Sequence, residues 1–334
     1  MARDYTTIEA AGQEVKLSNP GKVFFPQPGY TKLDVVNYYL AVAEPALGHL
    51  RERPTSLKRF VDGVTGEAFF QKRIPDSAPD WLHTADIRFP SGRPARMLVC
   101  DDEAHLVWGI NLGVVDWNPW QAKLPDLDHA DELRVDLDPT PEASWDDVRR
   151  LALVVRDVLA DHGLAGFPKT SGSRGIHINV PIEPEHDFIT VRRAAVALAR
   201  ETERRAPELA TTSWWKEERH GVFIDYNQNA RDRTVASAYS VRPTPDARVS
   251  TPLSWDEVPD VEAAELRLDT VPDRVKQVGD PSQGMPARPG SLDRLLELAQ
   301  RDEDNGLPDA PWPPNFPKMP GEAPRVAPSR ARKK

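Results

Sequence analysis

One cysteine, Cys100, stands in 334 residues. A lone thiol cannot close an intramolecular disulfide, which excludes the stapled secreted scaffolds and fits a reducing compartment. No uninterrupted apolar stretch approaches the roughly 18 residues that a membrane span needs. The opening MARDYTTIEA lacks the basic-then-apolar layout of a secretion signal, so a soluble, cytoplasmic protein is expected. There is no internal repeat, and the phosphate-binding pattern G-x-x-x-x-G-K-S/T is absent. Positive charge is also in short supply: the net charge of −9 argues against an indiscriminate nucleic-acid coat, because counterion release rewards clustered Lys and Arg. What is present is a 39% apolar chain long enough for one large domain or two ordinary ones. Local charge departs from the sum. Between Lys16 and Arg73 lie nine basic residues against five acidic ones, so a basic face is expected there.

The turn-rich NPGKVFFPQPGY precedes a helix that Thr31 to Leu33 start, that Val35, Val36, Tyr39, Leu40 and Val42 pattern, and that ends near Pro45. Strands follow around SLKRFVDG, EAFFQKRI and ARMLVCDD, then an apolar helix from about Glu103 to Gly113. A further strand, LRVDLDP, leads into a helix with a Ser144/Asp147 capping box and an apolar face of Val148, Leu151, Val154, Val155 and Leu159. AGFPKTS and GIHINVPI flank the turn SGSRG as a hairpin, a helix runs from Thr190 to Arg205, and GVFIDYN reads as a strand. Strand, helix, hairpin, helix, strand predicts an α+β sheet with helices against one face. Residues 305 to 334 are proline-rich and end RVAPSRARKK, five basic residues with no acid. Disorder or a surface-lying tail is expected, either solubilising or in electrostatic contact with nucleic acid.

Chemistry concentrates in three places. In LRVDLDPT the two-residue period of a strand puts Asp136 and Asp138 on one side, roughly 6 to 7 Å apart at Cα, with Val135 and Leu137 opposite. Half-buried carboxylates repel unless a cation or separate donors satisfy them. Asp225 in VFIDYN is expected at a similar strand position, and three such oxygens would suit Mg²⁺ or Mn²⁺ and nucleotidyl transfer. Alone, D-x-D also suits solvent-facing acids or an Asp138 that caps a helix. In KTSGSRGIHINV, Gly172 and Gly175 let backbone amides near Ser171 and Ser173 approach an anion while Lys169 and Arg174 add charge. Ile176, Ile178 and Val180 face the core there, so His177 and Asn179 face away; a plain hairpin with a satisfied histidine is the alternative. NQNARDRT and YSVRP bring Asn227, Gln228, Asn229, Arg231, Arg233 and Arg242; an arginine there suits a phosphate clamp, and for any one of them an ordinary surface role is the alternative.

Together, LSNPGKVFFP, TSLKRFVDGVTGEAFFQK, RVDLDP, KTSGSRGIHINVPI, FIDYNQNARDRTVASAYSVRP and PLSWDEV resemble the archaeo-eukaryotic primase superfamily. The nearest resemblance within it is to the polymerase domain of bacterial non-homologous end-joining ligases and its stand-alone relatives. The resemblance implies a primase-like α+β core with mixed and antiparallel sheets and an RRM-like element. It implies that Asp136, Asp138 and Asp225 bind two Mn²⁺ or Mg²⁺ ions, and that Ser171, Arg174, His177, Lys58, Gln228 and Arg242 surround the nucleotide triphosphate. Phe70 would stack on its base, and Lys22 and Lys32 would recognise a 5′-phosphate. The implied layout is a catalytic domain over 1–285, with a DNA-binding part to about 130 and a metal and nucleotide core over about 131–260, then a tail over 286–334.

Two positions depart from the family pattern: Asn118 stands where ligase-linked members carry histidine, and Thr244 where relatives often carry a basic residue. With no ligase or nuclease module in the sequence, a stand-alone branch is expected, working as a monomer on NTPs or dNTPs with a separate DNA ligase and Ku. The expected activity is ribonucleotide-favouring extension of primers in gapped or broken DNA. The rival expectations are a metal-dependent nuclease or phosphohydrolase and a non-catalytic DNA-end-binding module.

Overall fold

In the computed structural model, which describes residues 4–89, 92–314 and 316–325, the chain divides into two compact units. The first takes residues 1–127, 167–174 and 234–286, and the second 128–166, 175–233 and 287–334, so the chain passes between them repeatedly. Among the described residues no helix is long and apolar enough to cross a membrane.

The first unit is built on the strand Pro54–Arg59. It pairs antiparallel with Phe69–Gln71, with Pro94–Val99 and with Val114–Pro119; Thr84–Arg88 extends the sheet beyond Pro94–Val99. Every residue of Val114–Pro119 is buried, including Asp116 and Asn118, so this strand reads as interior despite two polar side chains. The first helix, Lys32–Ala41, starts at the expected place because Thr31 and Asp34 form a capping box. It does not run to Pro45. A second helix, Ala43–Gly48, begins two residues on, and Pro45 falls in its first turn, where a missing N–H has no helical acceptor to lose.

The second unit centres on the strand Glu132–Pro139. Ile176–Pro181 pairs antiparallel on one side, Val222–Ile224 antiparallel on the other, and Ala210–Thr211 parallel beyond that. Helices Trp145–Asp161 and Phe188–Arg205 pack on it, capped by Ser144 with Asp147 and by Asp187. The expected capping box is present, although Val154 is only half-buried and Ala152 and Val158 complete the apolar face. A mixed α+β fold with largely antiparallel sheets is what the sequence led us to expect.

Two local expectations fail. GVFIDYN gives only the strand Val222–Ile224; Asp225 leaves it and caps a short 3₁₀ turn, Tyr226–Asn229, by accepting from the Asn227 N–H. Disorder, one of the two expectations for the proline-rich segment, also fails over its described part. After the helix Asp293–Asp304, Asp309 and Glu322 form a β-bridge, and Trp312 is buried. The cause is Trp312, whose large apolar surface offsets an ordering cost that proline content alone does not reveal. The basic run after Arg325 lies outside the described residues.

At Gly175 an added Cβ would lie 2.1 Å from the Leu137 carbonyl oxygen, on the central strand of the second unit. Gly175→Ala is therefore expected to destabilise the protein by about 2 kcal/mol in urea denaturation, since backbone must move to admit it. Gly48→Ala, where a Cβ meets nothing within 4 Å, is expected to be neutral or stabilising.

Candidate active site

The polar face of Glu132–Pro139 carries four charged residues in succession. Glu132 and Arg134 are buried and paired to each other, with Arg134 Nε donating to Glu132 Oε1 at 2.9 Å. Asp136 is half-buried and Asp138 exposed, while Val135 and Leu137 are buried on the other side. The strand period thus places both aspartates on one face, as the sequence requires.

The neighbouring strands complete a row. Asp136 is the register partner of His177, whose Nε2 lies 3.3 Å from Asp136 Oδ1. On the opposite side Leu137 pairs with Ile224, and the Asp225 N–H donates to the Asp136 carbonyl at 2.9 Å. The two carboxylates therefore leave adjacent chains side by side. Burial, and then the charge of Asp136, push the Asp225 carboxyl up to about 6, against the stabilising Asn227 N–H and Gln228 amide. Gln228, expected beside the nucleotide, donates to Asp225 Oδ2 at 2.9 Å.

These donors are the hard oxygens that Mg²⁺ and Mn²⁺ favour, and a divalent charge would relieve the repulsion that raises Asp225. The donor chemistry fits. Among the described residues, however, no three carboxylate, imidazole or thiol groups are arranged to hold an ion as they stand. Asp138 sits opposite Phe223, one pleat away from the Asp136–Asp225 pair.

Arg219 is a residue that sequence reasoning passed over. Its guanidinium lies 3.5 Å from the centre of the Phe223 ring, and it donates to the carbonyls of Ser213 and Trp214. Burial lowers its pKa, while the fields of Asp225 and Asp138 act the other way. Only the pairing of Phe223 with Asp138 could have signalled it, and that pairing is tertiary.

The remaining expected residues belong to the first unit. Lys58 and Phe70 are register partners, with Lys58 Nζ 5.5 Å from the ring centre of Phe70, which is 56% exposed and available for stacking. Lys58 also lies 4.0 Å from the buried Asp116 carboxylate, and Arg242 Nη1 lies 3.2 Å from it. Ser240 and Asn118 donate to the same carboxylate. One anion thus gathers two cations that the resemblance placed around the same nucleotide, and Asn118 serves it as a neutral donor. Gly172, at φ +68°, packs against Arg242, where a Cβ would come within 2.4 Å of its Cγ. Ser171 is buried and accepts from the Ser173 N–H, and Arg174 is exposed.

Lys22 pairs with Asp62 at 3.0 Å and donates to the Val61 carbonyl. Lys32 is buried, donating to the Ser18 carbonyl and to Asn111 Oδ1, both at 2.9 Å. Burial, then the charges of Lys22 and Arg59, lower its ammonium to about 8. Among the described residues this buried cation is held by neutral acceptors.

A family model described as the LigD primase-polymerase domain matches residues 31–282. The multifunctional non-homologous end joining protein LigD of Mycolicibacterium smegmatis is 34% identical over 313 residues, 92% of this chain and 40% of that protein. The bifunctional non-homologous end joining protein LigD of Bacillus subtilis is 30% identical over 275 residues, 80% of this chain and 43% of its own length. The chain thus spans about two fifths of the curated relatives it matches. The polymerase domain of Mycobacterium tuberculosis Ligase D, solved in complex with DNA, superposes with a TM-score of 0.77 at 34% identity, covering 82% of this chain and 99% of that one. With its paired aspartates, Asp225 and the Lys58–Arg242 cluster inside the matched span, the chain belongs to the LigD primase-polymerase domain family.

Proposed function

We propose that this chain is a template-dependent nucleotidyltransferase that extends a DNA 3′-hydroxyl at gaps or breaks bearing a 5′-phosphate, favouring ribonucleotides, in end joining or short-gap filling. The observation that carries the reading is the side-by-side register of Asp136 and Asp225, with Asp138 one pleat on, in a family of primase-polymerase domains. A ligase and Ku are the proposed partners; the relatives' names speak of end joining.

Asp136, Asp138 and Asp225 would hold two divalent ions. Bound there, such ions lower the pKa of an attacking hydroxyl and neutralise charge on the departing pyrophosphate. His177 holds the Asp136 carboxylate from the neighbouring strand, and Gln228 and the Asn227 N–H hold that of Asp225, so the oxygens are oriented before substrate arrives. In the first unit Asp116 keeps Lys58 and Arg242 together as a phosphate-binding pair, with Ser171 and Arg174 on the adjoining turn. Phe70 offers a base a ring face, a contact that tolerates any sequence. Lys22 and Lys32 would take the 5′-phosphate, ordering the downstream end of a gap.

Asp136→Ala and Asp138→Ala are each expected to abolish extension of a labelled primer on gapped DNA with Mn²⁺ while leaving DNA binding largely intact. Mn²⁺-dependent extension retained in both would sink the proposal. In the same assay, primer shortening without added nucleotides would favour a nuclease, and a gel shift without growth a pure end-binding module.

Because the Asp225 pKa is raised on folding, the native state holds that proton more tightly than the unfolded chain. The stability of the metal-free protein therefore falls as pH rises from about 4 to about 6, and the loss is complete above that. Asp225→Asn is expected to raise the metal-free unfolding free energy at pH 8 by about 1 kcal/mol while eliminating extension. The gain should be smaller at pH 5 and vanish below about pH 4, as denaturation across this range will show.

Lys32 titrates near 8 without ligand, so the preference for 5′-phosphorylated over unphosphorylated gaps should shrink as pH rises from 7 to above 9. Lys32→Ala should remove both the preference and its pH dependence, as fluorescence anisotropy with the two DNAs can measure.

A further inference from the structure

Residues 309–325 lie beyond the span that the family model matches, yet they reach the turn that carries Asp225. The link is Arg192, near the start of the helix Phe188–Arg205 and only 1% exposed. Its Nε donates to Asn227 Oδ1 at 2.8 Å, and its other nitrogens donate to Asp309 Oδ1 at 3.0 Å and to the carbonyls of Ala310 and Pro311. The Trp312 ring covers the guanidinium at 4.0 Å. Asn227 closes the circuit, donating from Nδ2 to the Pro311 carbonyl at 3.0 Å while its backbone N–H donates to Asp225 Oδ1.

The three guanidinium nitrogens of Arg192 and the side-chain amide of Asn227 all find partners in one arrangement. A buried guanidinium is costly unless its donors are met, so the segment and the turn hold each other in place. The strap has its own lock: Trp312 Nε1 donates to Asp309, the Trp312 and Met319 N–H groups donate to Glu322, Trp312 stacks on Phe316, and Arg325 pairs with Glu322. The lock fixes the ring over Arg192 rather than leaving it as a surface contact.

We propose that the segment 309–325 is a positioning strap, which through Arg192 and Asn227 sets the Asp225 carboxylate for cation binding. The inference rests on the reading of Asp225 as a metal ligand. It assigns a task in the second unit to residues outside the matched family span, carried out by an aromatic lid on one arginine.

The test is made on the full chain, with Mn²⁺ alone as the probe and its affinity read from the free-ion EPR signal well below the melting temperature. Trp312→Ala is expected to weaken Mn²⁺ about tenfold, the scale on which outer partners of metal ligands act. It should lower kcat for extension in proportion, leave the nucleotide KM within about twofold, and leave binding of 5′-phosphorylated DNA unchanged. Trp312→Phe keeps an aromatic face over Arg192 and should recover most of the Mn²⁺ affinity. If Trp312→Ala does not fold, Asp309→Asn, at a partly exposed side chain, is read in the same way. A folded strap variant that binds Mn²⁺ and extends primers like the unaltered protein overturns the strap. Asp225→Ala run alongside separates the failures: lost Mn²⁺ binding there with full binding in Trp312→Ala overturns the strap alone. Full binding in both overturns the reading of Asp225 on which it rests.

Discussion

The lateral register of three strands in the second unit is the constraint on which the candidate chemistry depends. Ile176–Pro181, Glu132–Pro139 and Val222–Ile224 align so that His177, Asp136 and Asp225 stand in one row. Because side chains alternate with a period of two, a slip of one residue in either pairing would send one of these groups to the apolar face. The buried Val135, Leu137, Ile176, Ile178 and Ile224 forbid that slip. The core therefore fixes the acidic row, and the row in turn accepts the burial and the repulsion that together raise Asp225. Close strand packing at Gly175 belongs to the same constraint, since only a residue without Cβ tolerates the Leu137 carbonyl there.

The first unit handles charge in the opposite sense. Asp116 is a single buried anion around which Lys58, Arg242, Ser240 and Asn118 converge. A carboxylate this deep must be compensated, and here two cations face it. Asn118 can donate to Asp116 without adding charge, which an imidazolium in its place would do. At Lys32 the unit holds a cation whose partners among the described residues are neutral acceptors, and burial lowers its pKa.

Where sequence reading and structure diverge, the cause is long-range packing. Asp225 looked like a strand residue because Val222, Phe223 and Ile224 precede it, yet the chain turns there so that Asn227 can be shared by Arg192 and Pro311. The C-terminal segment looked unstructured because proline-rich composition correlates with disorder. Composition does not reveal that Trp312 has a buried arginine waiting more than a hundred residues upstream. Glu132 and Arg134 escaped notice for a related reason: their burial as a pair continues the polar face that Asp136 and Asp138 begin.

The sequence by itself determined the pieces whose information is local. Two-residue periodicity put Asp136 and Asp138 on one face, Thr31 with Asp34 and Ser144 with Asp147 marked helix starts, and ordered motifs identified the family. Tertiary structure decided everything that requires two distant segments to meet: Asp225 beside Asp136, Asp116 between Lys58 and Arg242, and Trp312 over Arg192. Periodicity and capping are properties of a few consecutive residues and can be read along the chain. Register between strands, and the compensation of a buried charge, are set by which apolar faces close against one another, and no stretch of neighbouring residues contains that.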